Sequence, residues 1–145
     1  MQPCVVITHR IDKEVIELLS HSFRVIPNMT REALPREEVL RRAVEADALM
    51  IFMPDLIDRS FVKACPRLKI IAGAFEGSDN VDVEACTENG IWFTLVQDLL
   101  VVPATERRAM TLEAAACIFE ALSGEKPKGA VNNLLKECRQ LAALP

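Results

Sequence analysis

The residue types in this chain that could do chemistry are few: two histidines, five cysteines, five glycines, and carboxylates scattered along its 145 residues. His9 follows the apolar run Cys4-Val5-Val6-Ile7-Thr8 and stands beside Arg10, a position where it could contact a ligand or hydrogen-bond a neighbouring loop. No carboxylate lies within its own loop to orient it as a general base. His21 sits in a helix-to-strand turn and reads as a solvated surface residue. Cys4, Cys65, Cys86, Cys117 and Cys138 are odd in number, widely spread and without a CxxC pair. That pattern fits neither a zinc site nor a secreted disulfide framework; reduced thiols, mostly buried as small apolar residues, are expected. No Ser-His-Asp, HExxH or Cys-His arrangement is present. No catalytic residue and no metal ligand is therefore assigned.

Phosphate and dinucleotide chemistry needs glycine, because only a backbone without Cβ can approach the pyrophosphate closely. The first apolar run leads into Thr8-His9-Arg10-Ile11, with no glycine. Gly73, Gly77, Gly90, Gly124 and Gly129 form neither GxGxxG nor a P-loop, so no bound cofactor is expected. Residues 73–80 (Gly73-Ala74-Phe75-Glu76-Gly77-Ser78-Asp79-Asn80) could present successive N–H groups to an anion. Glu76 opposes that use, and the stretch reads better as a strand-to-helix turn with Asp79 or Asn80 as its N-cap.

Composition narrows the field. Lys and Arg total 17 against 21 Asp and Glu, a net charge of -4, which argues against binding nucleic acid or an anionic membrane surface. Half of the residues are hydrophobic, enough for a core. No apolar run reaches the 18 or so residues of a membrane span, and no segment reads as a signal peptide; a cytoplasmic location is expected.

The elements that would position these residues alternate in type. Strands are expected at 4–8, 23–26, 48–52, 68–72 and 91–95. Helices are expected at 13–20 (N-cap Asp12; Val15, Ile16, Leu18 and Leu19 inward), 36–46 (Val39, Leu40, Ala43 and Val44 inward), 60–65 (N-cap Asp58) and 81–88 (closed by Asn89-Gly90). A long helix, 104–123, opens at Pro103 and ends at Gly124, and a last helix covers about 130–143. Strands each followed by a helix imply right-handed crossovers and a parallel sheet with helices on both faces. The expected fold is α/β: a flavodoxin-like three-layer sandwich with a five-stranded sheet of order 2-1-3-4-5. In such a sheet ligands bind beyond the carboxyl ends of the strands, which selects Thr8-His9-Arg10, Met53-Pro54-Asp55, residues 73–80 and residues 96–100.

At those loops the sequence resembles the substrate-binding domain of the D-2-hydroxyacid dehydrogenases, and within them the phosphonate (phosphite) dehydrogenases. The stretches that carry the resemblance are Val6-Ile7-Thr8-His9-Arg10, Phe52-Met53-Pro54-Asp55, residues 79–87 (Asp79-Asn80-Val81-Asp82 to Ala85-Cys86-Thr87), Gly90-Ile91-Trp92-Phe93-Thr94 and residues 98–103. A second match starts near Glu106 and runs through Gly124-Glu125-Lys126-Pro127 to Val131-Asn132. In the family a nucleotide-binding domain separates the two matches; here they meet directly. The resemblance thus implies one domain over 1–145. Residues 1–106 and 107–132 are fused across a deleted NAD-binding domain, within the single helix 104–123, and 133–145 forms a terminal helix.

The resemblance also places the family's cofactor loop and its catalytic Arg, Glu and His in the missing part. It carries over only a vestigial substrate-side rim: Met53, Pro54, Phe75, Glu76 and Gly77. Glu76 stands where phosphonate dehydrogenases typically have a substrate-contacting lysine, Ser78 where an aromatic is usual and Gln97 where a proline is. These changes reduce an exposed apolar patch, and with the reversed charge they imply an engineered or reconstructed stand-alone domain, inactive alone. Competing expectations are a module binding a small anion weakly at the rim, and an enzyme completed by a partner chain. The apolar residues of the fused helix (Ala109, Met110, Leu112, Ala116, Ile118, Phe119 and Leu122) suggest a homodimer through 104–123.

Overall fold

The β-branched and aliphatic runs form five strands, all parallel, in a computed structural model that describes residues 2–53, 55–75, 79–96 and 107–134. They are β1 (Cys4–Ile7), β2 (Arg24–Ile26), β3 (Ala48–Ile51), β4 (Ile70–Gly73) and β5 (Trp92–Thr94). The sheet order is β2-β1-β3-β4-β5, as the alternation of segments predicts. The helices named among the described residues are α1 (Lys13–Ser20), α2 (Arg36–Ala43), α3 (Arg59–Ala64), α4 (Val83–Glu88) and α5 (Arg107–Leu122).

Every residue of β1, β3, β4 and β5 is buried, because helices cover both faces. Side-chain alternation splits the core in two. Val6, Leu49, Ile71 and Phe93 point to the face covered by α2, α3 and α4. Val5, Ile7, Met50, Ile70 and Trp92 point to the face covered by α1 and α5. The register keeps these rows aligned, with Leu49 opposite Ile71 and Ile71 opposite Phe93. The result is the three-layer sandwich of the flavodoxin-like fold.

Local chemistry sets the helix ends and corrects several expectations. Asp58 caps α3 as expected, its Oδ1 accepting from Phe61 N at 2.9 Å. Asp12 occupies the N-cap position of α1, but its side chain makes no capping bond. Asp82, rather than Asp79 or Asn80, caps α4, accepting from Ala85 N at 2.9 Å; α4 accordingly starts at Val83 rather than 81. Gly90 follows α4 with φ +71° and Gly124 follows α5 with φ +89°, the left-handed closures that glycine allows at no steric cost. Helix α2 stops at Ala43, three residues short of the expected end. Val44 is therefore 39% exposed rather than inward, as is Leu18 at 44%.

The segment expected to begin the last helix does something else. Ala130 bridges Thr94 in antiparallel fashion, Leu95 N donates to Gly129 O at 3.1 Å and Val131 N donates to Phe93 O at 2.8 Å. Asn132 adds three bonds: its Oδ1 accepts from Phe93 N, and its Nδ2 donates to Ile91 O and to Thr87 Oγ1. Residues 129–132 thus line the free edge of β5 instead of coiling, which satisfies backbone groups that an edge strand would otherwise leave open. Gly129 makes this possible, since a Cβ there would lie 2.7 Å from Leu95 O. Of the expected helix 133–145, all but its first two residues lie outside the described residues.

Helix α5 packs on the sheet face, with Ala114, Ala115, Cys117, Ile118 and Ala121 buried. Phe119 stacks against Phe23 with ring centroids 4.9 Å apart. Of the apolar residues that suggested a dimer, Ile118 is fully buried within the chain, and Phe119 and Leu122 pack against the same core. Leu112 is 37% exposed. Residues 104–106, the start of the expected fused helix, lie outside the described residues.

Candidate functional site

The loops leaving the carboxyl ends of β1, β3 and β4 are joined at one residue, Asp55. Its Oδ2 accepts from Phe52 N at 3.0 Å and from Thr8 Oγ1 in a short bond. Its backbone O accepts from Asn80 Nδ2 at 2.6 Å. From there the chain of bonds continues, Ile57 N to Asn80 O and Asp82 N to Ile57 O. A carboxylate suits the first two of these bonds because it is all acceptor; the third donor, Asn80, reaches the backbone carbonyl of the same residue. The Met53-Pro54-Asp55 turn belongs to the expected rim, but sequence reading did not identify Asp55 as its organiser. The partners lie 47 and 25 residues away, and only the sheet order brings them together.

His9 also meets this carboxylate. Its Nε2 lies 3.6 Å from Asp55 Oδ1, and its ring packs on Phe52 with centroids 5.0 Å apart. At that distance the pair is not hydrogen-bonded, and His9 Nε2 is a buried polar atom without a partner among the described residues. The carboxylate that His9 lacks in its own loop is thus supplied by the β3 loop.

The vestigial rim divides. Met53 is 52% exposed and faces solvent beside the hub. Phe75 turns inward, 8% exposed within the core, and its backbone O accepts from Val96 N at 3.3 Å. Its ring is therefore a core element, so a ligand at this rim would meet backbone there and not the aromatic face. Pro54, Glu76 and Gly77 lie outside the described residues, as do Ser78 and residues 97–100. His21 is exposed, as expected.

A dinucleotide does not fit the turn after β1. Thr8 fills it with a fully buried side chain tied to Asp55, and Asp12 and Glu14 put negative charge at the N-terminus of α1, where a pyrophosphate would sit. None of the described glycines lies in that turn, and a Cβ at Gly73, on β4, would meet Phe75 and Leu95 side chains at 3.0 Å.

The described thiols are not poised as nucleophiles, and Cys138 lies outside the described residues. Cys4, Cys65, Cys86 and Cys117 are free and buried, and burial pushes Cys65 up to about 11 and Cys86 up to about 12, far from the thiolate that reacts. Among the described residues no group of three His, Cys, Asp or Glu could hold a metal ion. No helix among them is long and apolar enough to cross a membrane.

Residues 5–132 match the family model of the D-isomer specific 2-hydroxyacid dehydrogenase catalytic domain. The chain is 38% identical over 112 residues to the glyoxylate reductase of Thermococcus kodakarensis, covering 77% of this chain and 33% of that protein. It is 36% identical over 121 residues to the glyoxylate reductase of Aeropyrum pernix, covering 83% and 36%. These relatives bear the name glyoxylate reductase and not phosphonate dehydrogenase, so the resemblance holds at the level of the family.

Among solved structures, the PH0520 protein of Pyrococcus horikoshii superposes with a TM-score of 0.61 at 28% identity, covering 69% of this chain and 29% of that one. The NAD+-bound 3-phosphoglycerate dehydrogenase of Entamoeba histolytica, at 24% identity and TM-score 0.54, shares the fold. The chain spans about a third of the length of the glyoxylate reductases it matches. With the matched segment running from β1 to the strap along β5, this chain belongs to the D-isomer specific 2-hydroxyacid dehydrogenase family.

Proposed function

We propose that this chain is the substrate-side domain of a 2-hydroxyacid dehydrogenase standing without the apparatus for hydride transfer, and that alone it is a folded, non-catalytic unit. The observation that carries this reading is the turn after β1. A buried threonine locked to Asp55 occupies the place where a dinucleotide requires glycine. NAD belongs, on this reading, to the intact relatives and not to this chain. The charge at Glu76 and the polar residues Ser78 and Gln97 support an engineered stand-alone form. The free, buried thiols support a reducing compartment such as the cytoplasm.

A second reading, weak binding of a small acid at the rim, is favoured by the exposure of Met53 beside a fixed loop hub. The relatives' name points to glyoxylate and the motif resemblance to phosphite; both are small anions. A homodimer through α5 is proposed on the exposed Leu112 alone and is read by light scattering.

Melting curves test the first reading. NADH is expected to leave the melting temperature unchanged, because a ligand stabilises only what it binds. A saturable rise with NADH would contradict it. A saturable rise with millimolar glyoxylate or phosphite, removed by a Met53→Asp substitution, would instead establish the second reading.

A further inference from the structure

A second site lies on the same edge of the sheet, on the far side of β1 from the Asp55 hub. Arg10, Ile11, Asp12, Arg31, Arg108 and Thr111 line an open cleft of about 350 Å³, at the small end of the volumes that hold metabolites. The three guanidinium groups come from three elements: the loop after β1, the loop after β2 and the first turn of α5. The cleft lies beyond the carboxyl ends of β1 and β2, the side on which sheets of this type bind ligands.

The arginines are unevenly paired. Elsewhere on the surface Arg36 meets Asp58, Arg41 and Arg42 meet Glu38, and Arg59 meets Glu88. In the cleft Arg108 pairs with Glu14, but among the described residues neither Arg10 nor Arg31 has an ion pair. Asp12, whose carboxylate makes no capping bond, is the acidic lining residue. Three positive groups against Asp12 and Glu14 leave the cleft net positive in a chain of charge -4.

The backbone that carries Arg31 is also held in advance. Asn28 is buried; its Nδ2 donates to Thr8 O at 3.0 Å and to Glu32 O at 2.8 Å, and its Oδ1 accepts from Thr30 N at 2.9 Å and Thr30 Oγ1 at 2.6 Å. Arg31 therefore sits between two residues bonded to one asparagine, and that asparagine is bonded to the loop that carries Arg10. Guanidinium forks suit clustered oxygens, which they bind in bidentate fashion.

We propose that the cleft formed by Arg10, Arg31 and Arg108 binds a small acid carrying two or more negative charges on clustered oxygens. Phosphoryl and polycarboxylate groups share that chemistry. A singly charged acid gains less, because Asp12 and Glu14 offset part of the positive charge. The site does not depend on the rim at Met53 and is unaffected if the reading of that rim fails.

Thermal unfolding in pyrophosphate, in citrate and in potassium chloride of matched ionic strength tests it. Pyrophosphate or citrate at ten times its dissociation constant is expected to raise the melting temperature by about 4 °C, with no matching rise in chloride. Whichever of the two binds more tightly identifies the preferred oxygen cluster. The rise should vanish in the Arg10→Gln/Arg31→Gln variant, whose far-UV circular dichroism is expected to be unchanged because both side chains are exposed. A Glu14→Gln variant frees Arg108 and is expected to tighten binding about two- to fivefold. No shift with either anion, an equal shift in the double-arginine variant, or unchanged or weaker binding after Glu14→Gln would overturn the three-arginine assignment.

Discussion

Asp55 and Gly129 are single residues on which distant parts of the chain depend. Replacing Asp55 with alanine removes the acceptor for Phe52 N and for the Thr8 hydroxyl, and Thr8 is fully buried. Leaving buried donors unmatched costs about 1–3 kcal/mol. Asp55→Ala is expected to lower the unfolding free energy by that amount, seen as a lower urea midpoint at unchanged slope. A midpoint equal to the parent's would show that the loops hold without the hub. At Gly129 the added methyl of alanine would meet Leu95 O at 2.7 Å and Cys117 Sγ at 3.1 Å. Both neighbours are confined, one as backbone and one as core, so Gly129→Ala is expected to cost about 1–3 kcal/mol. Calorimetry showing no loss would mean that residues 129–132 are not bound to β5 as described.

Elements were legible in the sequence to different degrees. The strands and the order 2-1-3-4-5 could be read because β-branched runs and capped helices alternate and parallel crossovers have one hand. The caps at Asp58 and Gly90 could be read because their chemistry is local. What could not be read were contacts made across the sheet. The edge strap at 129–132 has the composition of a helix start, and its pairing with β5 wins because Asn132 finds three partners, two of them on β5's own approach. The same limit hid the Asp55–His9 approach and the arginine cleft.

Helix α5 rests on tertiary packing. Ile118 is fully buried against the sheet, so Ile118→Ala is expected to cost about 2–5 kcal/mol, read from denaturant unfolding. A loss below 1 kcal/mol would mean that the helix is not docked. At α3, Asp58 is held near 2, against an ordinary value of 3.8, first by Arg36 and then by its bonds from Phe61 N and Ser60. A depressed folded value means stability that is present above the unfolded value and lost as pH falls through the folded one. Asp58→Asn keeps an acceptor for the cap but loses the ion pair. Its stability deficit is expected at neutral pH and should close between about pH 4 and pH 2; a pH-independent deficit would mean that the charge contributes nothing.

At the scale of the molecule, the chain has the five-stranded parallel sheet with both core faces covered, and the buried side chain of Thr8 fills the turn after β1. Helix α5 and the strap along β5 return residues 107–132 to the sheet that begins the chain. Family membership therefore fixes what this domain is built like, and the residues at its edge fix what it can do. The most direct measurement is the absorbance of NADH incubated with the chain and glyoxylate. The same slow decay as in buffer without protein is expected; steady oxidation proportional to protein concentration and dependent on glyoxylate would show that the chain alone is catalytic.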